Sequence, residues 1–334
     1  MARSSDQIKA AITAVGGYVP EDRLTNQDLE KMVDTNDAWI KSRTGIEARR
    51  ILKDPTKATS YLAIKACENL LKKTQLDPKT IDLVIVATIT PDLHVSATGP
   101  YVATQIGATN AFAFDLQAAC SGFLYALSIA AGKIESGRYK KILVIGADKM
   151  SSIVDYTDRS TCIIFGDGGG VALMEPSTNN FGWEDEYFRS SGEGRNYLNM
   201  KAGGSLCPTT SETLANRWHY LYQDGKSVFK YAVSEMAHAG SEIMKRNGLK
   251  NQDIKYLVPH QANKRIIEAT AKRMDLEQDK VLMNIKDYGN TTAATIPLLF
   301  NDFEADLKKG DKLVLAAFGG GFTWGAALIT WAYN

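Results

Sequence analysis

Helix, turn and apolar strand occur twice in this chain in the same order, and that repetition limits what it can fold into. Residues 60–92, SYLAIKACENLLKKTQLDPKTIDLVIVATITPD, read as a helix, a turn and a strand. Residues 230–263, KYAVSEMAHAGSEIMKRNGLKNQDIKYLVPHQAN, read the same way about 170 residues later. Both helical stretches have apolar residues at helical spacing and end in a basic last turn, which suits the negative end of a helix dipole. The strands, IDLVIVAT and IKYLVPH, are short apolar runs fit for a sheet covered on both faces.

The parallel extends further. A helix follows each strand, in TGPYVATQIGA and NKRIIEATAKRM. Then come FAFDLQAACSGFLYALSIAAGKIESGRYKKILVIGADKM and LMNIKDYGNTTAATIPLLFNDFEADLKKGDKLVLAAFGGG, each read as strand, tight turn, helix, basic turn and apolar strand. Each half closes on a Gly-rich turn and one more strand, in FGDGGGVALME and GGGFTWGAALITW. Alternating strands and helices predict an α/β chain of two similar halves, 1–178 and 179–334, with helices packed on mixed sheets. Between the halves, residues 175–225 are polar and read as a short strand or two with a long surface loop.

Composition excludes several classes. The 334 residues carry a formal net charge of +1, which argues against a broad nucleic-acid surface. The charged amino-terminal stretch lacks a long apolar segment, and no run of about 18 apolar residues occurs, so neither a leader nor a membrane helix is expected. The four cysteines, Cys67, Cys120, Cys162 and Cys207, form no C-x-x-C, and the four histidines form no metal-binding pair. A cytosolic protein with reduced thiols and no metal is the expectation.

Three side chains fall at the predicted strand ends and turns of the repeat. Cys120, in AACSGF, follows the strand of the first half and opens a helix. Taken alone it reads equally as a small buried hydrophobe or as a nucleophile whose thiolate is favoured by the helix start. His260, in PHQAN, ends a second-half strand, and Asn290, in GNTTAA, occupies the turn equivalent to that of Cys120. Each alone has an ordinary structural reading, His260 as a satisfied polar residue and Asn290 as a cap. Together they suit one chemistry. A cysteine takes an acyl group from a thioester. A neutral histidine and an asparagine then donate to one carbonyl oxygen while a malonyl group loses carbon dioxide. The loop AFGGGFTWG supplies a further backbone N–H.

Two basic regions stand out. Trp39 and Arg43 in TNDAWIKSRTGIEARRI, with Arg159 in YTDRSTCIIFGDG, read as a solvated basic loop or as groups that stack on adenine and pair with phosphates. Lys230, Arg265, Lys272 and Arg273 form basic faces that read as solvated surface or as a dock for an acidic protein.

Taken with WIKSRTGIEARR, AACSGF, DRSTCIIFGDG, HQAN, GNTTAATIPL and AFGGGFTWGAAL, the chain resembles β-ketoacyl-acyl carrier protein synthase III of the thiolase superfamily nearly end to end. The resemblance implies a five-layer αβαβα fold, a homodimer and no cofactor beyond coenzyme A thioester substrates. It implies that acyl-CoA acylates Cys120, that His260 and Asn290 promote decarboxylation of malonyl-acyl carrier protein, and that the N–H groups of Cys120 and Gly320 form the oxyanion hole. It implies that Trp39, Arg43, Thr44 and Arg159 hold the adenine end of coenzyme A, and that Gly225, Phe229 and Asn263 line the pantetheine tunnel. Lys230, Arg265 and Lys272 would face the carrier protein. Val95 stands where many members have a phenylalanine in the primer pocket, which implies room for a longer or branched primer. The segment between Arg159 and Gly225 is several residues longer than usual. A secondary-metabolite starter synthase keeps the same Cys-His-Asn set. A hydroxymethylglutaryl-CoA synthase would need a glutamate that TPDLHVSATG lacks. A cysteine hydrolase and a non-catalytic acyl-CoA-binding protein are the readings from other classes.

Overall fold

A computed structural model describes residues 8–334; residues 1–7, on which the expectation of no leader partly rests, lie outside the described residues. The strands are β1 (Ala10–Tyr18), β2 (Arg23–Thr25), β3 (Ala48–Arg50), β4 (Leu83–Ala87), β5 (Phe112–Leu116), β6 (Ile142–Asp148) and β7 (Gly168–Pro176). They continue with β8 (Gly182–Ser190), β9 (Leu198–Met200), β10 (Leu221–Gln223), β11 (Tyr256–Pro259), β12 (Lys312–Gly319) and β13 (Thr323–Thr330). The helices are α1 (Asn26–Glu30), α2 (Asp37–Thr44), α3 (Thr59–Thr74), α4 (Thr98–Gln105), α5 (Gly122–Glu135), α6 (Ser211–Ala215), α7 (Gly225–Arg246), α8 (Lys264–Arg273), α9 (Ile285–Tyr288) and α10 (Thr295–Phe303).

The repeat read from the sequence reappears as matched topology. One sheet runs β1-β7-β6-β4-β5, the other β8-β13-β12-β11. In both, a parallel pair (β4 with β6, β11 with β12) adjoins two antiparallel pairs. The second half has no strand equivalent to β5. Only a single parallel bridge, Leu257 to Val281, marks its place. The strand expected at LMNI is lost because the Gln261 side-chain oxygen accepts from the Asn284 and Ile285 N–H groups, which turns the chain into α9.

Alternate residues of each strand serve two cores. Leu83, Ile85 and Ala87 of β4 face a central layer with Phe123, Leu124 and Leu127 of α5 and Leu299 and Phe300 of α10, against Leu313 and Leu315 of β12. Val84 and Val86 face outward to Leu62 and Leu70 of α3 and Val102 of α4. Val314 and Ala316 face Met236 and Ile243 of α7 and Ile267 of α8. The order is therefore helix, sheet, helix, sheet, helix, the five αβαβα layers. Each large side chain fully buried in them contributes roughly 1.5–3 kcal/mol. The central helices fit tightly: a Cβ on Gly146 of β6 would collide with the Ala293 carbonyl.

The segment between the halves carries more order than its polar composition predicts. β8 is nine residues long and pairs with β13 along its length, with Trp183 buried at 3% exposure. β9 and β10 form a small antiparallel pair, and the Leu221 N–H donates to the Ile153 carbonyl at 2.9 Å, which fixes the pair over the first half.

Candidate active site

Cys120 lies in a 3₁₀ turn, Ala119–Ser121, between β5 and α5. Ala119 is held at φ +47°, and a Cβ on Gly319 at the end of β12 would sit 2.7 Å from the Cys120 nitrogen. Glycine there lets a second-half strand approach the cysteine backbone closely. The thiol opens onto a cavity of about 430 Å³ lined by Cys120, Ile89, Met150, Phe165, Leu198, Leu221, Thr292 and Gly320 among others. Burial pushes the Cys120 thiol up to about 12, the Asp148 charge adds to this, and its own backbone N–H opposes it. The helix start alone therefore does not produce a thiolate: desolvation outweighs it.

His260 follows β11, where its N–H donates to the Ala316 carbonyl at 2.7 Å. It is 1% exposed, and burial lowers its pKa to about 3, so the imidazole is neutral near pH 7. Nδ1 is 2.8 Å from the Thr295 hydroxyl.

Asn290 is held by both faces of its backbone: its N–H donates to Ile164 at 2.9 Å, and its carbonyl accepts from Gly166 at 3.0 Å. Its side-chain oxygen accepts from the Thr292 N–H at 2.8 Å, which leaves Nδ2 as the end free to donate. The Cys120 and Asn290 turns adjoin, with a Cβ on Gly122 coming 3.9 Å from that of Ala293, and His260 joins them through Thr295; His260 and Asn290 themselves are not among the residues that line the cavity at Cys120. A thiol, a neutral imidazole and an amide donor form a set suited to acyl transfer and carbanion stabilisation.

The other expected residues divide. Trp39 and Arg159 come together, with the guanidinium carbon 5.7 Å from the ring centroid and Nη1 donating to the Asp34 carbonyl at 2.9 Å. Arg43 is exposed at the end of α2, and its carbonyl accepts from Asn263 Nδ2 at 2.9 Å. Asn263 also caps α8 through Arg265 N. Thr44 is buried at the end of α2, where its hydroxyl donates to the Ile40 carbonyl and accepts from Ile46 N. Gly225 starts α7, and Phe229, one turn on, lies under Arg265 at 4.9 Å; Gly225, Phe229 and Asn263 stand outside the walls of the cavity at Cys120. Lys230, Arg265 and Lys272 are exposed on α7 and α8. Val95 is exposed at φ +73° on the surface of the single chain, and the apolar walls of the cavity at Cys120 come from Ile89, Met150, Ile153, Phe165, Leu198, Met200 and Leu221. Those walls escaped the sequence reading because they come from five separate segments. Asp148 and Thr295 escaped it too, although an aspartate ending an apolar strand at the same level as His260 is a legible signal.

Fold and site together define an acyl-transferring enzyme of the thiolase type. Residues 114–192 match the family described as 3-oxoacyl-[acyl-carrier-protein] synthase III, and residues 244–331 match its C-terminal family. The chain is 55% identical over 98% of both lengths to β-ketoacyl-[acyl-carrier-protein] synthase III 2 of Bacteroides thetaiotaomicron. It is 54% identical, over the same 98% of each chain, to β-ketoacyl-[acyl-carrier-protein] synthase III of Porphyromonas gingivalis. The crystal structure of 3-oxoacyl-[acyl-carrier-protein] synthase III from Aquifex aeolicus superposes with a TM-score of 0.89 at 39% identity, covering 96% of this chain and 100% of that one. The chain belongs to the β-ketoacyl-acyl carrier protein synthase III family.

Proposed function

We propose that Cys120, His260 and Asn290 are the catalytic residues of a condensing acyltransferase that joins an acyl-CoA primer to malonyl-acyl carrier protein and so initiates fatty acid synthesis. The Cys120 thiol attacks the primer thioester, coenzyme A leaves carrying the thiol proton, and the acyl group stays on sulfur. The Cys120 and Gly320 N–H groups receive the charge on the carbonyl oxygen. When the Thr295 hydroxyl donates to Nδ1, His260 carries its proton on Nε2 and donates it, with Asn290 Nδ2, to the malonyl thioester oxygen. Carbon dioxide leaves, the electron pair moves into the enolate, and the enolate carbon attacks the acyl carbonyl. The Cys120 sulfur is expelled as thiolate and takes up a proton from solvent, the one proton the condensation consumes. No base is needed, which fits the neutral, buried His260; that observation carries the reading.

Trp39, Arg43 and Arg159 hold the adenine and phosphates of coenzyme A, and Gly225, Phe229 and Asn263 border the arm that follows. Lys230, Arg265 and Lys272 face the acidic carrier protein. Residues 1–178 and 179–334 act as the two halves, no cofactor beyond the thioester substrates takes part, and the enzyme works in the cytoplasm; no helix among the described residues is long and apolar enough to cross a membrane. A homodimer is supported by β5, an edge strand with Phe112 exposed, beside exposed Leu93 and Tyr101.

Intact mass after mixing with a panel of acyl-CoAs, beside Cys120→Ala, tests the reading. Adducts on the wild type that vanish in the variant are expected, and the adduct formed in greatest yield names the preferred primer. No adduct from any acyl-CoA would remove the priming step.

A further inference from the structure

Asp148 ends β6 and is completely buried, with no ion-pair partner among the described residues. Six donors surround its carboxylate. Oδ1 accepts from Thr88 Oγ1, Ile89 N, Thr90 N and Thr90 Oγ1 at 2.8–3.1 Å. Oδ2 accepts from Thr292 Oγ1 and, at 3.3 Å, from Ala293 N. The first four donors follow β4 of the first half, and the last two follow Asn290 in the second. One carboxylate therefore joins the strand-end turns of both halves.

The second-half bond falls on a residue that needs support. Thr292 has φ +52°, a left-handed conformation that a β-branched side chain rarely adopts. Such a residue persists only where its surroundings over-determine it. The N–H of this residue is the group that holds the Asn290 side-chain oxygen. If Thr292 relaxes, that N–H turns away, and the Asn290 amide loses its fixed orientation.

We infer that Asp148 is a positioning residue for decarboxylation: through Thr292 it fixes the direction in which Asn290 Nδ2 is presented to the malonyl thioester. The inference rests on the assignment of Asn290 above. A buried carboxylate without a cation is a costly way to hold two turns together. Its retention fits a site that needs a rigid acceptor for six donors, where a neutral amide would meet Thr292 and Ala293 with N–H groups of its own. The Asp148 charge is also a cause, second to burial, that raises the Cys120 thiol.

The test uses the full chain and two variants, Thr292→Val and Asp148→Asn. The readouts are the acyl adduct from acetyl-CoA and carbon dioxide release from malonyl-acyl carrier protein. Both variants are expected to keep the adduct and to lose at least about tenfold in decarboxylation kcat, with KM little changed. Asp148→Asn is also expected to move the pH profile of Cys120 alkylation to lower pH, which Thr292→Val leaves in place. Undiminished decarboxylation in folded Thr292→Val overturns the inference. So does an equal fall in both half-reactions with an unmoved alkylation profile, which marks a purely structural role. If Asp148→Asn does not fold, Thr292→Val decides. Absence of acylation in the wild type instead removes the assignment of the site on which the inference rests.

Discussion

His260 Nδ1 and Thr295 Oγ1 lie 2.8 Å apart, and the same hydroxyl lies 3.0 Å from the Thr292 carbonyl. A hydroxyl has one proton and so donates to only one of these partners. When it donates to the ring, His260 holds its proton on Nε2; when it donates to Thr292, the ring must carry its proton on Nδ1. A buried threonine on α10 therefore governs which face of the imidazole can donate.

Thr295→Val keeps the shape and removes the hydroxyl, leaving a buried ring nitrogen without a partner. Decarboxylation of malonyl-acyl carrier protein is expected to fall about tenfold to a hundredfold, the order of one lost or misaligned donor. Thr295→Ser is expected to restore most of it. Carbon dioxide release measured on the three proteins decides the matter, and equal rates in all three would remove Thr295 from any catalytic role.

Cys120 gives a direct pH prediction. With its thiol pushed up to about 12 by burial, the thiolate fraction rises about tenfold per pH unit across the accessible range. Alkylation of Cys120 by iodoacetamide, followed by peptide mass mapping, is expected to accelerate steadily between about pH 7 and pH 9. A plateau near pH 7 would show that the helix start overcomes desolvation after all.

Part of this was legible before any coordinates. The order of helices and strands in the two halves, and the turns carrying Cys120, His260 and Asn290, follow from short apolar runs bounded by Gly and small polar residues. β8 was not legible as a long strand, because Glu184, Asp185 and Glu186 dilute its apolar pattern while its pairing with β13 supplies the order. The strand expected before Asn290 was lost to a side-chain bond from Gln261, which local propensity does not reveal. The thiol's raised pKa depended on burial from both halves, a tertiary effect absent from the turn itself.

His260 also links stability to pH. Its folded pKa of about 3 lies below the ordinary 6.5, so between those values the unfolded chain binds a proton that the folded chain excludes. Stability from this group is fully present above about pH 6.5 and declines as pH falls toward about 3, by on the order of a few kcal/mol. Buried Asp148 and Asp167, whose pKa values burial raises, act in the opposite sense as pH falls, so the comparison must isolate the histidine. Urea midpoints of wild type and His260→Gln, measured from about pH 8 to pH 4.5, are expected to converge or cross as the pH drops. Parallel curves would show that folding does not lower the His260 pKa.

The cover over the cavity depends on a clasp. Arg217, at φ +59°, donates Nε to Asp155 Oδ2 at 2.7 Å and Nη2 to Oδ1 at 2.5 Å, a two-pronged pair that holds the Asp155 carboxyl well below the usual range. Lys201 lies 3.2 Å from the Trp218 ring centroid on the same segment. The pair ties the segment between β9 and β10 to the turn that carries Ile153, so Leu198, Met200 and Leu221 stay seated over the cavity. Arg217 is half exposed, so its loss is expected to change global stability little. Arg217→Ala should instead loosen this one segment: limited proteolysis within residues 201–217 is expected to quicken several-fold, and KM for acyl-CoA to rise while the Cys120 adduct still forms. Unchanged cleavage and unchanged KM would mean that β9 and β10 hold the cover without the clasp.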